Sequence, residues 1–364
     1  MSPPARTSIT APWKLSESRI ARKYIRRLYL LTNTWIWNYL PNSLKSFPSI
    51  SRYGCHIQSL IQRRPRTQYI GTFFFRNRPE LELLIHLLDK FRSGATVDIT
   101  ILGCSKGAEV YSFLYAIRTK RPDLNLRLCA LDICKDVLEF AEAGVYSLER
   151  HEEGSGREGH VSLGRGGHVA VLTSREQGDR SIFERMSPKE MEALFERDGE
   201  QVRVRPRFRD GISWRVGDAS DAGLVESLGL QNIVVANRFL CHMRPAEAEA
   251  CLRTLVRLVK GGGYLFVCGV DLAVRSKVAR ELGWKPVTEL IGEIHEGDPS
   301  LRRDWPLQYW GLEPLDRGRD DWEIRYASVF QVPAPAAAGG SPSPQFLFAD
   351  HGQQVLGAHS SPQR

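Results

Sequence analysis

The chain has 364 residues, 42% hydrophobic and 25% charged, an ordinary globular balance with enough apolar material for a core and two modest domains. Its net charge of +8 is spread along the chain, so charge alone does not single out nucleic acid, an anionic membrane or an acidic substrate as partner. Seven cysteines without a CxxC pair exclude a zinc-finger pattern and argue against a disulfide framework, and no apolar run has the length of a transmembrane segment. We therefore expect a cytoplasmic protein with reduced thiols and no metal site.

Residues 1–69 predict an N-terminal helical subdomain. Apolar residues recur near helical spacing between positions 14 and 61, with an aromatic cluster at Trp35, Trp37 and Tyr39. A basic helix with aromatics can dock on the rest of the protein, make peripheral contact with a membrane surface, or simply present its charges to solvent. The sequence leaves these three interpretations open.

Residues 70–332 predict a second domain in which helices and strands alternate. A helix at Leu81–Phe91 precedes a strand at Val97–Leu102, and a glycine-bearing turn and a helix at Glu109–Thr119 come next. A second strand, Leu126–Leu131, ends at an acid. This order begins a doubly wound parallel sheet, so the predicted fold class is α/β.

The alternation is interrupted once and then continues to a tail. Residues 151–181 are rich in Gly, Arg, Glu and His and are interpreted as a mobile insert. The composition of residues 333–364 predicts a disordered tail. Between them, the predicted elements are strands at 212–216, 232–236 and 264–268, a helix at 245–259, a glycine turn at 261–263 and a final edge strand at 323–332.

The turn at residues 103–109 suits a ligand that approaches the backbone closely. Gly103 and Gly107 leave room at the backbone, and the helix that follows offers free N–H groups. The turn has neither the P-loop ending nor the GxGxxG spacing of pyrophosphate binders, which favours a ligand with amino-acid and nucleoside parts. Taken alone, it is equally compatible with an ordinary connection between a strand and a helix.

Two acids end the second and third predicted strands. Asp132 stands where an acid of a doubly wound sheet accepts hydrogen bonds from both ribose hydroxyls, although a helix N-cap has the same sequence pattern. Asp218 is either a contact to a base or a loop residue.

Six sequence blocks in unbroken order between residues 70 and 271 carry a more specific signal. They are T-F-F-F-R at 72–76, G-C-S-K-G-A-E-V-Y-S at 103–112, L-D-I at 131–133 with A-G-V-Y at 143–146, M-S-P through R-P at 186–206, A-N-R-F-L at 236–240 and G-G-Y-L-F at 262–266. Together they resemble the CheR-type chemotaxis-receptor glutamate methyltransferases. The resemblance implies a class I methyltransferase domain with a Rossmann-like sheet, and S-adenosyl-L-methionine as its cofactor.

The resemblance also implies roles for individual residues. Arg76 would lie against the cofactor and guide the acceptor carboxylate, Glu109 would bind the methionine amino group and Asp132 the ribose. The implied cofactor-binding set is Thr72, Arg76, Gly103, Cys104, Ser105, Gly107, Glu109, Asp132, Ile133, Asp218 (near the adenine), Ala219 and Asn237. The implied catalytic residues are Arg76, Arg238 and His242.

The chain departs from the family pattern on the acceptor side. The family's Arg-Asn order is inverted as Asn237-Arg238, and His242 replaces a tyrosine. A histidine can titrate near neutrality and act as a base, which would suit a hydroxyl, amine or ring-nitrogen acceptor; alternatively, His242 only fills the space of the aromatic ring. Residues 272–332 follow where the family normally ends.

We expect a methyltransferase whose partner is a methyl-acceptor protein, peptide or small molecule, with a carboxylate or another nucleophile as acceptor. The alternative is a non-catalytic, cofactor-binding regulatory module, which the inverted Asn237-Arg238 pair favours and Arg76 disfavours. Nucleic acid is disfavoured as acceptor, because the chain lacks the Asn/Asp-Pro-Pro-aromatic motif of base-flipping amino-methyltransferases.

Overall fold

The computed structural model describes residues 19–41, several residues between 44 and 54, and residues 71–148, 182–298 and 313–334. Most of the predicted N-terminal subdomain, the predicted insert at 151–181 and the tail beyond residue 334 lie outside the described residues. Within this part of the chain, no helix is both long enough and apolar enough to cross a membrane.

Ten strands form two sheets in the described residues. In chain order they are β1 (Thr96–Leu102), β2 (Asn125–Asp132), β3 (Val145–Ser147), β4 (Phe195–Asp198), β5 (Gln201–Val204), β6 (Ile212–Val216), β7 (Gln231–Val235), β8 (Val259–Phe266), β9 (Lys285–Pro286) and β10 (Val329–Gln331).

The α-helices whose bounds the structure describes precede these strands or lie between them in the chain, and two 3₁₀ turns lie at Leu240–His242 and Val256–Leu258. The helices are α1 (Arg19–Tyr39), α2 (Arg78–Leu88), α3 (Ala108–Lys120), α4 (Lys135–Ala143), α5 (Pro188–Leu194), α6 (Pro206–Arg209), α7 (Leu224–Leu228), α8 (Pro245–Leu255), α9 (Leu272–Glu281), α10 (Ile291–Glu296) and α11 (Trp322–Tyr326).

The large sheet has the order β6-β2-β1-β7-β8-β10-β9. Strands β6, β2, β1, β7 and β8 are parallel, whereas β10 is antiparallel to both of its neighbours. The chain therefore winds from β1 to one side through β2 and β6, and then returns to the other side of β1 with β7 and β8. This is the doubly wound arrangement with one reversed strand, and it confirms the predicted class I methyltransferase fold.

Burial on both faces explains why the central strands are nearly continuously apolar. Ile99 and Ile101 of β1 are fully buried, as parallel strands covered by helices require. Helix α3 covers one face through Val110, Phe113 and Leu114, which share a helical stripe and are buried.

A small antiparallel sheet of order β3-β5-β4 lies between α4 and β6 in the chain, and the sequence analysis did not predict it. Its hairpin turns at Gly199, whose φ of +57° is favourable for glycine. Val202 and Val204 are buried while their neighbours are exposed, which is the alternation of a half-buried strand. The Asp198-Gly199 pair between short alternating runs was the available sequence signal.

Three predictions about the C-terminal half were wrong in detail. The segment 323–332 is not one edge strand: α11 forms first, and β10 lies inside the sheet with β9 at the edge. The glycines at 261–263 belong to β8 instead of a turn. Gly263 lies so close to β7 that a Cβ on it would be 2.7 Å from the carbonyl oxygen of Asn232. The helix predicted at 245–259 ends at Leu255.

Candidate functional site

Most of the predicted site residues lie at or after the carboxyl ends of the parallel strands. Gly103 follows β1, Asp132 ends β2 and Asn237 comes soon after β7. The winding direction reverses between β1 and β7, and the crevice at such a switch point is where ligands bind doubly wound sheets. The topology thus gathers residues that are far apart in the chain.

The glycine turn passes close to the neighbouring elements. Gly103 has a φ of +64°, and a Cβ on it would lie 2.9 Å from the ring of Phe239. The backbone N–H groups of Gly103 and Cys104 both donate to the carbonyl of Leu131, at 2.8 and 3.2 Å. Gly107, with a φ of +82°, starts α3 without a side-chain cap. The turn is therefore tied to β2, and no capping side chain covers the first turn of α3.

Asp132 is fixed by the turn that it faces. Its Oδ2 accepts a hydrogen bond from the backbone N–H of Ser105 (2.8 Å), and its Oδ1 accepts one from Cys134 (2.9 Å). Each carboxylate oxygen has a second lone pair, so the group can still accept two hydroxyl donors. Ile133, next to it, is 46% exposed, an apolar surface beside the acid.

The Thr72–Arg76 segment is coupled to the glycine-turn helix by Ser112. Its Oγ accepts the backbone N–H of Phe75 at 2.9 Å and donates to the carbonyl of Ala108 at 2.6 Å. Phe75 has a φ of +50°, so this hydrogen bond helps to hold an uncommon backbone conformation. Thr72 is buried.

The side chains of the inverted pair, Asn237 and Arg238, contact different groups. The buried Asn237 amide donates to Glu80 and Glu109, both at 2.9 Å, and its Oδ1 accepts the backbone N–H of Cys268 at 3.1 Å. Burial raises the pKa of Glu109, and it raises that of Glu80 to about 7, with repulsion from Glu109 as the next cause. Asn237 thus joins two carboxyls, of which Glu80 is partly protonated near neutrality.

Arg238 points instead into a cluster of guanidinium groups. Its Nη1 lies 2.8 Å from Oδ2 of Asp298, while Nη2 of Arg185 donates to Oδ1 of the same carboxylate at 2.7 Å. Nε of Arg76 lies 3.8 Å from Oδ2. We call Arg76, Arg185 and Arg238 the arginine cluster. Burial, followed by repulsion from Arg238, lowers the pKa of Arg76 to about 10.

The remaining predicted residues are placed as follows. Asp218 lies in the turn after β6 and accepts hydrogen bonds from the backbone and hydroxyl of Ser220, at 2.9 and 2.7 Å. Ala219 packs in the hydrophobic core. Burial lowers the pKa of His242 to about 4, so the imidazole is neutral at pH 7 and does not titrate near neutrality.

These groups fit an S-adenosylmethionine molecule. The acids Glu109 and Asp132 suit an ammonium group and ribose hydroxyls, and Asp132 keeps lone pairs for two hydroxyl donors. Gly103 is a glycine because the ring of Phe239 packs against it. Among the described residues, no group of three or more His, Cys, Asp or Glu side chains could hold a metal ion.

One comparison with protein families concerns the cofactor half of the site. Residues 71–159 match the family model of the CheR methyltransferase, SAM binding domain. The predicted resemblance is confirmed for this region, and so is S-adenosyl-L-methionine as cofactor. The CheR-type match includes Arg76, the glycine turn and Asp132, but it ends before Asn237 and the rest of the acceptor side.

None of the curated proteins compared with the chain matches it. Among solved structures, it is similar to magnesium protoporphyrin IX methyltransferase from Synechocystis PCC 6803 with bound SAM (12% identity, 76% of this chain and 90% of that one, TM-score 0.31). It is also similar to an O-methyltransferase family protein from Burkholderia thailandensis (13% identity, 74% and 61% covered, TM-score 0.29). The DszA carbon methyltransferase is matched over 51% of this chain and only 33% of its own (14% identity, TM-score 0.28). At these low TM-scores the structural similarities do not establish the fold, which follows from the strand order of the sheet.

Three charged residues of the site were missed by the sequence analysis: Glu80, Arg185 and Asp298. Glu80 lies four residues after Arg76 in an apolar helix, a position at which a buried acid is unusual and could have been noticed. No sequence pattern around Arg185 or Asp298 marks either of them as a site residue. Only the tertiary structure brings these two residues together.

Proposed function

We propose that the protein is an S-adenosylmethionine-dependent methyltransferase of CheR type that transfers a methyl group to a carboxylate on a protein, peptide or small molecule. The observation that carries this proposal is that the guanidinium of Arg76 belongs both to the matched cofactor domain and to the arginine cluster. A group that binds carboxylates thus lies directly beside the candidate cofactor site.

The residues divide into two roles. Asp132 and Glu109 bind the ribose hydroxyls and the amino group, and the glycine turn allows close approach of the backbone. Arg76 orients the acceptor. S-adenosylmethionine, when bound, supplies the methyl group on a positively charged sulfur, from which it passes to an oxygen of the acceptor, leaving a neutral thioether and an ester.

The titration state of His242 favours an acceptor that is already ionised. A general base works best with a pKa near the operating pH, whereas burial lowers the pKa of His242 to about 4. A carboxylate is ionised at pH 7 and gives up no proton in the transfer. The main contribution of the protein is then alignment, which is worth on the order of 7–11 kcal/mol at best.

The test is a transfer assay with methyl-labelled S-adenosylmethionine and a panel of acceptors: a glutamate-containing peptide, glutarate, a phenol and an amine. We expect label in the carboxylate acceptors that alkali releases as methanol, because methyl esters hydrolyse in base. Arg76→Gln should reduce turnover roughly 10- to 100-fold, the loss expected for a hydrogen bond to a charged group. Arg203→Gln is the matched control, since Arg203 is exposed on β5. Alkali-stable label alone would contradict a carboxylate acceptor.

A second candidate is a non-catalytic module that binds the cofactor. The observation that favours it is Asp298, which already neutralises part of the arginine cluster. Binding of S-adenosylhomocysteine without transfer to any member of the panel would support this alternative.

A further inference from the structure

Asp298 holds the centre of the arginine cluster. Its side chain is 3% exposed, while those of Arg76, Arg185 and Arg238 are 17%, 15% and 13% exposed. The three arginines come from three separate parts of the chain, and Asp298 comes from a fourth, two residues after α10. One carboxylate therefore lies among three nearly buried guanidinium groups.

The charges of this group are unequal. Three guanidinium groups surround the buried carboxylate of Asp298, while the partly exposed Glu184 lies 3.8 Å from Arg185, and Glu80 and Glu109 act on Arg238 electrostatically. Burying like charges together is unfavourable unless enough negative charge compensates for them. Glu109 supplies part of that compensation for Arg76, although burial raises the pKa of Glu109 itself. The cluster can accept a further anion, or a stronger one in the place of Asp298.

Two of the three arginines, Arg76 and Arg185, are held by contacts that do not involve Asp298. Nη2 of Arg76 donates to the carbonyl of Gly71 at 3.0 Å, and Nη1 of Arg185 donates to the carbonyl of Arg76 at 2.5 Å. The ring of Phe73 lies 5.2 Å from the guanidinium carbon of Arg76 and 5.0 Å from that of Arg185. These contacts would therefore hold Arg76 and Arg185 in place if the aspartate left the cluster.

The segment that carries Asp298 is anchored before the aspartate. Nδ2 of Asn77 donates to the carbonyl of Ile294 at 2.9 Å, and Nε2 of His295 lies 2.6 Å from the carbonyl oxygen of Glu313. Gly297 follows these anchors, and a Cβ on it would lie only 2.3 Å from Oδ1 of Asn77. A change at residues 297 and 298 alone could withdraw the carboxylate while α10 stays in place.

We propose that the arginine cluster is the binding site for a carboxylate of the methyl acceptor, and that Asp298 occupies it as an internal competitor until the acceptor displaces it. The inference rests on the proposed function and adds Arg185, Arg238 and Asp298 to it. The acceptor is accordingly an acid, and its apparent affinity is reduced by the fraction of molecules in which Asp298 holds the site.

The test uses the full chain saturated with S-adenosylhomocysteine and glutarate as the probe, with affinities measured by calorimetry. Asp298→Asn should bind glutarate at least tenfold more tightly than the wild type, because the variant side chain has a similar shape but no charge. Asp320→Asn, an exposed aspartate elsewhere in the C-terminal region, is the matched control and should match the wild type. Glutaramide, the uncharged analogue of glutarate, should show no such gain.

Adding Arg185→Gln to Asp298→Asn should weaken glutarate binding again, by tenfold or more. Unchanged or weaker glutarate binding in Asp298→Asn would overturn the proposal. A gain limited to S-adenosylhomocysteine would assign the site to the carboxylate of the cofactor and would equally overturn it. Failure of all variants and the wild type to bind S-adenosylhomocysteine would contradict the proposed function instead.

A second measurement uses the wild type and does not depend on the folding of any variant. If glutarate expels Asp298, amide hydrogen exchange at residues 297 and 298 should become faster when glutarate is added at saturating S-adenosylhomocysteine. Unchanged or slower exchange at these residues, with glutarate bound, would contradict displacement.

Discussion

On the β1 and β2 side of the switch point, the site is held by backbone hydrogen bonds, whereas on the β7 side it is held by charged side chains that face one another. Asp132 is fixed by two backbone N–H groups, and Gly103 by the carbonyl of Leu131. Across the crevice, Asn237 joins two carboxyls and Arg238 meets Asp298. The match to a family model covers the first side and also Arg76, Glu80 and Glu109, but it ends before Asn237, Arg238 and Asp298.

This difference indicates which substitutions each side of the site can tolerate. A backbone-held turn needs a few glycines and one acid in fixed order, so its chemistry is recognisable as a sequence motif. A cluster of charged side chains depends on residues from distant segments, and each can be exchanged if the charges still balance. The cofactor side is therefore conservative in its construction, whereas the acceptor side can be adapted to a different acid.

Among substitutions that test the difference between the two sides, the largest effect on binding is expected at Asp132. Replacing Asp132 with Ala removes the acceptor of two ribose hydroxyls, each worth about 1.5–3 kcal/mol for a charged group, and should weaken S-adenosylhomocysteine binding by more than about 100-fold. Isothermal titration calorimetry measures it. Glu139→Ala, at an exposed site on α4, should bind like the wild type. Equal affinities for the two variants would remove the ribose assignment.

The next effect tests the buried carboxyls of the acceptor side. In the folded protein the pKa of Glu80 is raised to about 7 from 4.5, so between these pH values the folded state keeps a proton that the unfolded state releases. The contribution of Glu80 to stability therefore falls as pH rises. The free energy of unfolding of Glu80→Gln minus that of the wild type should therefore rise by on the order of 1–3 kcal/mol from about pH 5 to about pH 8.

Urea unfolding of the wild type and the variant at both pH values gives this difference. Glu82→Gln, an exposed position on the same helix, is the control and should show no such dependence on pH. A constant difference between wild type and Glu80→Gln would mean that Glu80 is not held protonated.

A smaller effect is expected where the Thr72–Arg76 segment meets α3. Ser112→Ala leaves the buried N–H of Phe75 without its 2.9 Å acceptor and should lower the free energy of unfolding by about 1–2 kcal/mol. Thermal unfolding measures the loss. Thr254→Ala is a useful comparison, because its hydroxyl donates to the carbonyl four residues earlier on an exposed helix face. If the two variants lost the same stability, the hydrogen bond between Ser112 and Phe75 would contribute no more than an exposed hydroxyl contact on a helix.

The smallest effect is an absence of change at His242. Since burial lowers its pKa to about 4, its imidazole resonances should stay constant between about pH 6 and pH 8 in an NMR titration. The signal is assigned by its loss in His242→Gln. A titration midpoint near neutrality would mean that His242 can act as a base, and it would favour a hydroxyl or amine acceptor.

The sequence predicted the sheet well where local patterns suffice. Strands β1, β2, β6 and β7 were placed within one residue, because apolar runs, glycines and terminal acids mark them. It missed the β4–β5 hairpin, and it took the glycines at 261–263 for a turn although they lie in β8. In that case, close approach to Asn232 requires glycine, and no local pattern shows a tertiary contact.

The candidate site shows the same limit. The predicted residues Asp132, Glu109, Asn237 and Arg238 lie at one edge of the sheet because strand order brings them there, and a motif can imply that order. Asp298 and Arg185 are 113 residues apart in the chain. Their meeting depends on how α10 packs against α2, so the charge balance of the acceptor side could not be read from sequence.

The most direct test of the central claim is calorimetric titration of the wild-type chain with S-adenosylhomocysteine. The account predicts saturable binding of one molecule per chain, with affinity in the micromolar range. No binding at high protein concentration would contradict it, and the match to a SAM-binding domain would then reflect ancestry without a working cofactor site.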